Sequence, residues 1–199
     1  PSLSPRLEIA DQQIFRIREA SPAFLFGKVK NPLRDYGFRF SYVFSLYGGD
    51  DKLLYEAENE ASVFPSSETL LYETVSQVLS RDAYRVSFEI RNAEEVPAYE
   101  FPVVSFSFSE NPRIEILDEE RIIRVLGTVR NDSGTFVPEA RVVALLRDAF
   151  GFQVFVSGTI LANMRSFSEK QFEIPVPYDT DLARQLREGS VEVFFYPVF

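Results

Sequence analysis

The chain has no cysteine, histidine or tryptophan and only one methionine in 199 residues. Without cysteine there is no disulfide, thiolate ligand or thiol nucleophile. Without histidine the commonest general base, metal ligand and triad proton shuttle are all missing. Serine therefore lacks the partner that would activate it. No apolar run approaches the roughly 18 residues that a membrane-spanning helix needs. Positive charge is also short: 11 basic against 16 acidic residues in 1–100, and 10 against 14 in 101–199. Neither half carries the basic footprint of nucleic-acid binding, and attachment to an anionic membrane surface is equally unsupported.

What is present is a repeat. Phe26-Gly27-Lys28-Val29-Lys30-Asn31 returns as Leu126-Gly127-Thr128-Val129-Arg130-Asn131, at an offset of 100 residues. Repetition at that spacing fixes architecture before any local reading. Leu25, Gly27 and Val29 align with Val125, Gly127 and Val129. After the turn, Phe38, Phe40, Tyr42, Phe44 and Leu46 hold even positions in the first copy, and Ala140, Val142, Ala144 and Leu146 hold them in the second. Period-two alternation marks strands with one buried face. Further on, Tyr72-Glu73 aligns with Phe172-Glu173.

The expected strands of the first copy are 7–17 with a break near Asp11, 23–31, 38–47, 52–58, 70–78 and 84–90. Gly48-Gly49-Asp50-Asp51 is expected to close a hairpin, with the glycines supplying positive φ. Residues 91–102 carry Asn92, Glu94, Glu95, Pro97 and Pro102 and read as a restricted junction. Strand-like residues 103–108 fit either sheet. The second copy is expected at 113–117, 122–130, 139–148, 153–157 and 167–174, with a short helix near 180–189 capped by Asp181 and ended by Gly189. The expectation is an all-β chain of two tandem antiparallel β-sandwiches, 1–97 and 98–199, each with about seven strands.

Gly-x-Val-x-Asn, then an alternating strand ending near Leu-x-Asp, then a polar-apolar strand and a final valine-rich strand resembles the FxLYD-type immunoglobulin-like modules of bacterial and archaeal surface proteins. It is also similar to uncharacterised exported proteins of Patescibacteria-type bacteria. Gly127, Val129, Asn131, Leu146, Asp148 and Gly151 carry the match, while the first half has Tyr47-Gly48-Gly49 where the second has Arg147-Asp148. The resemblance implies immunoglobulin-like sandwiches in a non-enzymatic, extracytoplasmic cell-envelope module. It brings no functional residues with it. The sequence begins at Pro1, and a signal or anchor is expected upstream, which would be the chain's link to the membrane.

Carboxylates are the abundant reactive groups. Glu56, Glu58 and Glu60 have strand spacing, and Asp118-Glu119-Glu120 precedes a strand, but paired-acid hydrolysis needs two carboxylates across an aromatic-floored cleft. A solvated strand face and a turn account for both groups. Calcium needs only clustered oxygens, and its weak candidates are Asp50, Asp51, Asp118, Glu119, Asp179 and Asp181, none in an EF-hand spacing. Gly27 and Gly127 read as close-packing positions rather than phosphate loops. Asn131-Asp132-Ser133 matches a glycosylation sequon but reads as a turn first. Phe106 and Phe108, with Phe195 and Phe199 in the aromatic C-terminal run, are the candidate interaction residues. The expected function is a binding or spacer module acting through an unidentified protein partner, with no cofactor and no catalysis. The alternative is a Ca²⁺-stabilised carbohydrate-binding surface module.

Overall fold

A computed structural model describes residues 7–16, 22–76 and 82–198. The chain divides into two compact units, Pro1–Phe101 and Pro102–Phe199. In the first, β1 (Glu8–Phe15), β2 (Ala23–Asn31), β3 (Tyr36–Gly48), β4 (Leu53–Val63), β5 (Ser67–Val75) and β6 (Ala83–Pro97) follow one another. They form two antiparallel sheets ordered β1-β2-β5 and β4-β3-β6. In β3 the alternating set Phe38, Phe40, Tyr42, Phe44 and Leu46 enters the core opposite Leu25 and Val29 of β2 and Leu71 of β5. Tyr42 meets Phe44 edge to face at 5.7 Å, and Phe44 packs on Phe88 of β6 at 4.8 Å. Full burial of each such ring stabilises by roughly 2–3 kcal/mol, which is why this alternation fixes the face.

The second unit repeats the plan with β7 (Phe106–Leu117), β8 (Ile122–Asn131), β9 (Val137–Arg147), β10 (Gln153–Met164), β11 (Glu169–Val176), helix α1 (Thr180–Leu186) and β12 (Ser190–Val198). Its sheets are ordered β7-β8-β11 and β10-β9-β12, again antiparallel. The chain is thus all-β, built as antiparallel β-sandwich units.

Several expectations are corrected. Each unit has six strands among the described residues rather than about seven. The supposed junction is largely strand: β6 continues to Pro97, opposite Tyr36. An edge strand tolerates the charges and the proline that make the segment look like a linker. A 3-10 turn at Ala98–Glu100 follows, and the unit closes on Phe101, whose ring lies 4.9 Å from Phe64 and fills the space over Gly37. Residues 106–108 belong to the second unit. They begin β7, which reaches Leu117 through register shifts around Glu110. The expected break in the first strand is a shift between Ile9 and Asp11.

The helix is capped by Asp179, not Asp181, because its Oδ1 accepts from the backbone N–H of Asp181 at 2.9 Å and of Leu182 at 3.1 Å. Leu182, Ala183 and Leu186 are its buried face. Gly189 follows because a Cβ there would lie 2.2 Å from the Arg147 carbonyl oxygen.

Candidate functional site

The repeated motif has a structural reason at each position. Val29 and Val129 are fully buried core residues. Gly27 lies under the Phe88 ring, where a Cβ would stand 3.0 Å from it, and Gly127 lies under Phe172, at 2.6 Å. The ring differs in origin: Phe88 comes from the opposite sheet, and Phe172 is the cross-strand neighbour of Gly127. Gly27 faces Leu71 in the same sheet position. Phe172 therefore corresponds to Leu71 and not to Tyr72, a one-residue correction that exchanges the faces of the strand.

Asn31 and Asn131 are the pins. Asn31 Nδ2 donates to the carbonyls of Tyr36 (2.8 Å) and Phe64 (3.0 Å), and its Oδ1 accepts from Leu33 N–H at 3.0 Å. Asn131 Nδ2 donates to Thr135 (2.8 Å) and Arg165 (3.2 Å), and its Oδ1 accepts from Ser133 N–H at 3.1 Å. One buried side chain thus ties three backbone groups, on two loops, at the same end of each sandwich. The same end repeats its loop: Ser66 N–H donates to Leu33 and Phe167 N–H to Ser133, both donors having positive φ. The sequon asparagine has no exposed surface and spends its amide on two carbonyls.

The β3–β4 and β9–β10 hairpins are also one turn written twice. Gly48 N–H donates to Lys52 and Asp51 N–H to Gly48; Asp148 N–H donates to Phe152 and Gly151 N–H to Asp148. The left-handed residue is Asp51 (φ 59) or Gly151 (φ 85), so the expectation that Gly48 and Gly49 supply positive φ is wrong. The carboxylate changes place. Asp148 Oδ1 accepts from both Phe150 and Phe152 N–H at 2.9 Å, whereas in the first copy Asp50 takes Lys52 N–H at 3.2 Å.

Of the candidate metal carboxylates, Asp50, Asp51, Asp118, Asp179 and Asp181 accept from protein donors. Asp51 accepts from the Tyr84 hydroxyl at 2.7 Å and from Arg85 at 3.2 Å. Those two hydrogen bonds, Tyr84 first, hold its carboxyl below the usual range. Asp118 accepts from Arg187 and from the Tyr178 hydroxyl, and Arg187 is the larger cause of its lowered pKa. Asp179 caps the helix, Asp181 pairs with Arg184 at 2.8 Å, and Glu119 is exposed in the β7–β8 turn. Among the described residues no three acidic groups come together as a metal site. Glu56, Glu58 and Glu60 line the outer face of β4, with Glu56 accepting from Ser45 and Glu58 near Arg91.

The candidate interaction residues Phe106, Phe108 and Phe195 come together, but on each other: Phe195 lies 5.6 Å from Phe106, 5.5 Å from Phe108 and 5.6 Å from Phe172. They join the two sheets of the second unit. Phe199 lies outside the described residues.

The more exposed aromatics are elsewhere. Phe150 and Phe152, at the tip of the β9–β10 hairpin, are 86% and 71% exposed. Sequence reasoning missed them because they fall between strands. The signal was the contrast at the repeat offset, where Phe150-Gly151-Phe152 replaces Asp50-Asp51-Lys52.

No family model matches the chain, and no curated protein matches it. Among solved structures, a crystal structure of red sea bream transglutaminase is similar over 98% of this chain at 9% identity, with a TM-score of 0.32. The chain spans 29% of that structure's length, and a likeness of this extent carries no functional argument.

Proposed function

We propose that the chain is a non-catalytic tandem β-sandwich module that binds protein partners at the extracytoplasmic side of the cell envelope. The envelope part of this reading rests on the resemblance carried by Gly127, Val129, Asn131, Leu146, Asp148 and Gly151. The binding part rests on one observation: the hairpin tip of the second unit presents Phe150 and Phe152 to solvent, where the same turn of the first unit presents Asp50, Asp51 and Lys52. An aromatic pair on a short, hydrogen-bonded turn is a low-entropy anchor for a partner's apolar pocket. Both rings lie outside the core, so their loss leaves the sandwich intact.

The test compares the chain with a Phe150→Ser/Phe152→Ser variant, each immobilised and exposed to solubilised envelope fractions. Selective recovery of a protein by the parent chain and not by the equally stable variant supports the reading. Equal recovery by both removes the hairpin tip as the binding surface.

A further inference from the structure

We propose that the outer edge of β12, to which no strand among the described residues is paired, pairs antiparallel with β12 of a second copy of this chain, about a two-fold axis through Phe194. This surface is distinct from the hairpin tip, and the proposal does not rest on it.

The direction of the backbone groups follows from the hairpin. Asp148 N–H donates across to β10, at Phe152. Alternation along β9 then turns Arg147, Leu145, Val143 and Arg141 toward β12, where they face Ser190, Glu192, Phe194 and Tyr196. Val191, Val193 and Phe195 consequently aim their N–H and C=O groups away from β9. Pro197 shares that parity, so its missing N–H costs the β9 ladder nothing.

The corresponding edge of the first unit is blocked. β6 carries Arg85, Glu89, Arg91, Glu94 and Glu95, and its register with β3 shifts twice. Its outward Phe88 N–H is taken by Gln12 Oε1 at 3.0 Å. Charges, irregular register and side-chain caps are the usual means of keeping an edge from pairing. On the other side of the second unit, β10 has no charged residue, but Lys170 of β11 donates to its Ala162 carbonyl, and Ser157 donates to Pro175 of β11 at 2.6 Å. β12 has one charge, Glu192, and nine consecutive pairs with β9 without a register shift.

A second β12 suits this edge. With the axis through Phe194, Val193 lies opposite Phe195 of the second copy, and these are the residues whose N–H and C=O face outward. Val191 lies opposite Pro197, losing one donor, and Glu192 faces Tyr196, so no like charges meet. The two Phe194 rings meet at the axis. Such a contact is small, so the dimer is weak.

Sedimentation velocity of the 199-residue chain from about 5 µM to 1 mM, read with amide hydrogen exchange over the same range, tests this. The expected result is a reversible dimer in which the Val191, Val193 and Phe195 amides gain protection with concentration. Phe194→Lys and Phe194→Glu should each weaken it at least tenfold, and an equimolar mixture of the two should restore association. A monomer throughout the range overturns the proposal. So does a dimer whose Val191, Val193 and Phe195 amides exchange at the monomer rate, an outcome readable on the unsubstituted chain.

Discussion

Asp51 and Gly151 occupy the same left-handed position of the same hairpin turn, with φ of 59 and 85. One copy meets the requirement with the residue best suited to it, and the other with an aspartate whose carboxylate is held by Tyr84 and Arg85. At Gly151 a Cβ would meet nothing within 4 Å. Gly151→Ala therefore carries a backbone cost alone, about 1 kcal/mol. Urea denaturation checks it, and no loss of stability would refute the shared-turn assignment.

Gly127→Ala acts by a different mechanism. Its Cβ would press on the Phe172 ring, which Phe108 and Phe195 hold from other sides. The expected loss is about 2–3 kcal/mol. Because the first copy places Leu71 opposite Gly27, Phe172→Leu should recover part of it. A double-mutant cycle measures that recovery, and strict additivity would mean that ring and glycine do not compete for one space.

Asn131→Ala leaves the Thr135 and Arg165 carbonyls and the Ser133 N–H without their partner. The expected cost is about 2–4 kcal/mol, with Asn31→Ala comparable through Tyr36, Phe64 and Leu33. Thermal unfolding reports both. A change below about 0.5 kcal/mol, the level of an ordinary surface substitution, would contradict the pin assignment.

Asp51 and Asp118 have carboxyls lowered by hydrogen bonds from Tyr84 and Arg187 respectively, supplemented by Arg85 and Tyr178. A lowered folded-state pKa gives stability that is present above the unfolded value and lost as pH falls through the folded one. The loss accordingly belongs to the acid side, below about pH 4. Carboxyl-carbon NMR titration should place both midpoints below the ordinary aspartate value, and Asp118 should return toward it in Arg187→Gln. An unshifted Asp118 would remove the Arg187 contact from the account.

The parts of the fold legible in the sequence are those that depend on near neighbours. β2 is marked by Leu25, Gly27 and Val29, and β3 by Phe38 to Leu46, because a buried sheet face imposes a period of two. The reason for Asn31 was hidden: its partner Phe64 is 33 residues away, and a loop contact leaves no periodic trace. The Leu71–Phe172 correspondence was missed because the second copy gains one residue between the hairpin and the loop at Arg165, near Asn163, which has positive φ. Asp51 was passed over for Gly48 and Gly49 because composition does not say which turn position is left-handed. The apolar hairpin tip was legible only as a difference between copies.

Protein contact at the hairpin tip on the outer side of the envelope is tested most directly by photo-crosslinking. A photoreactive phenylalanine analogue replaces Phe150 within the full gene product in intact producing cells. The expected result is adducts at position 150, absent from a control at Glu58 on the outer face of β4, and sensitive to protease added outside the cells. No adduct at position 150, or adducts that external protease cannot reach while a cytoplasmic marker is equally protected, would contradict it.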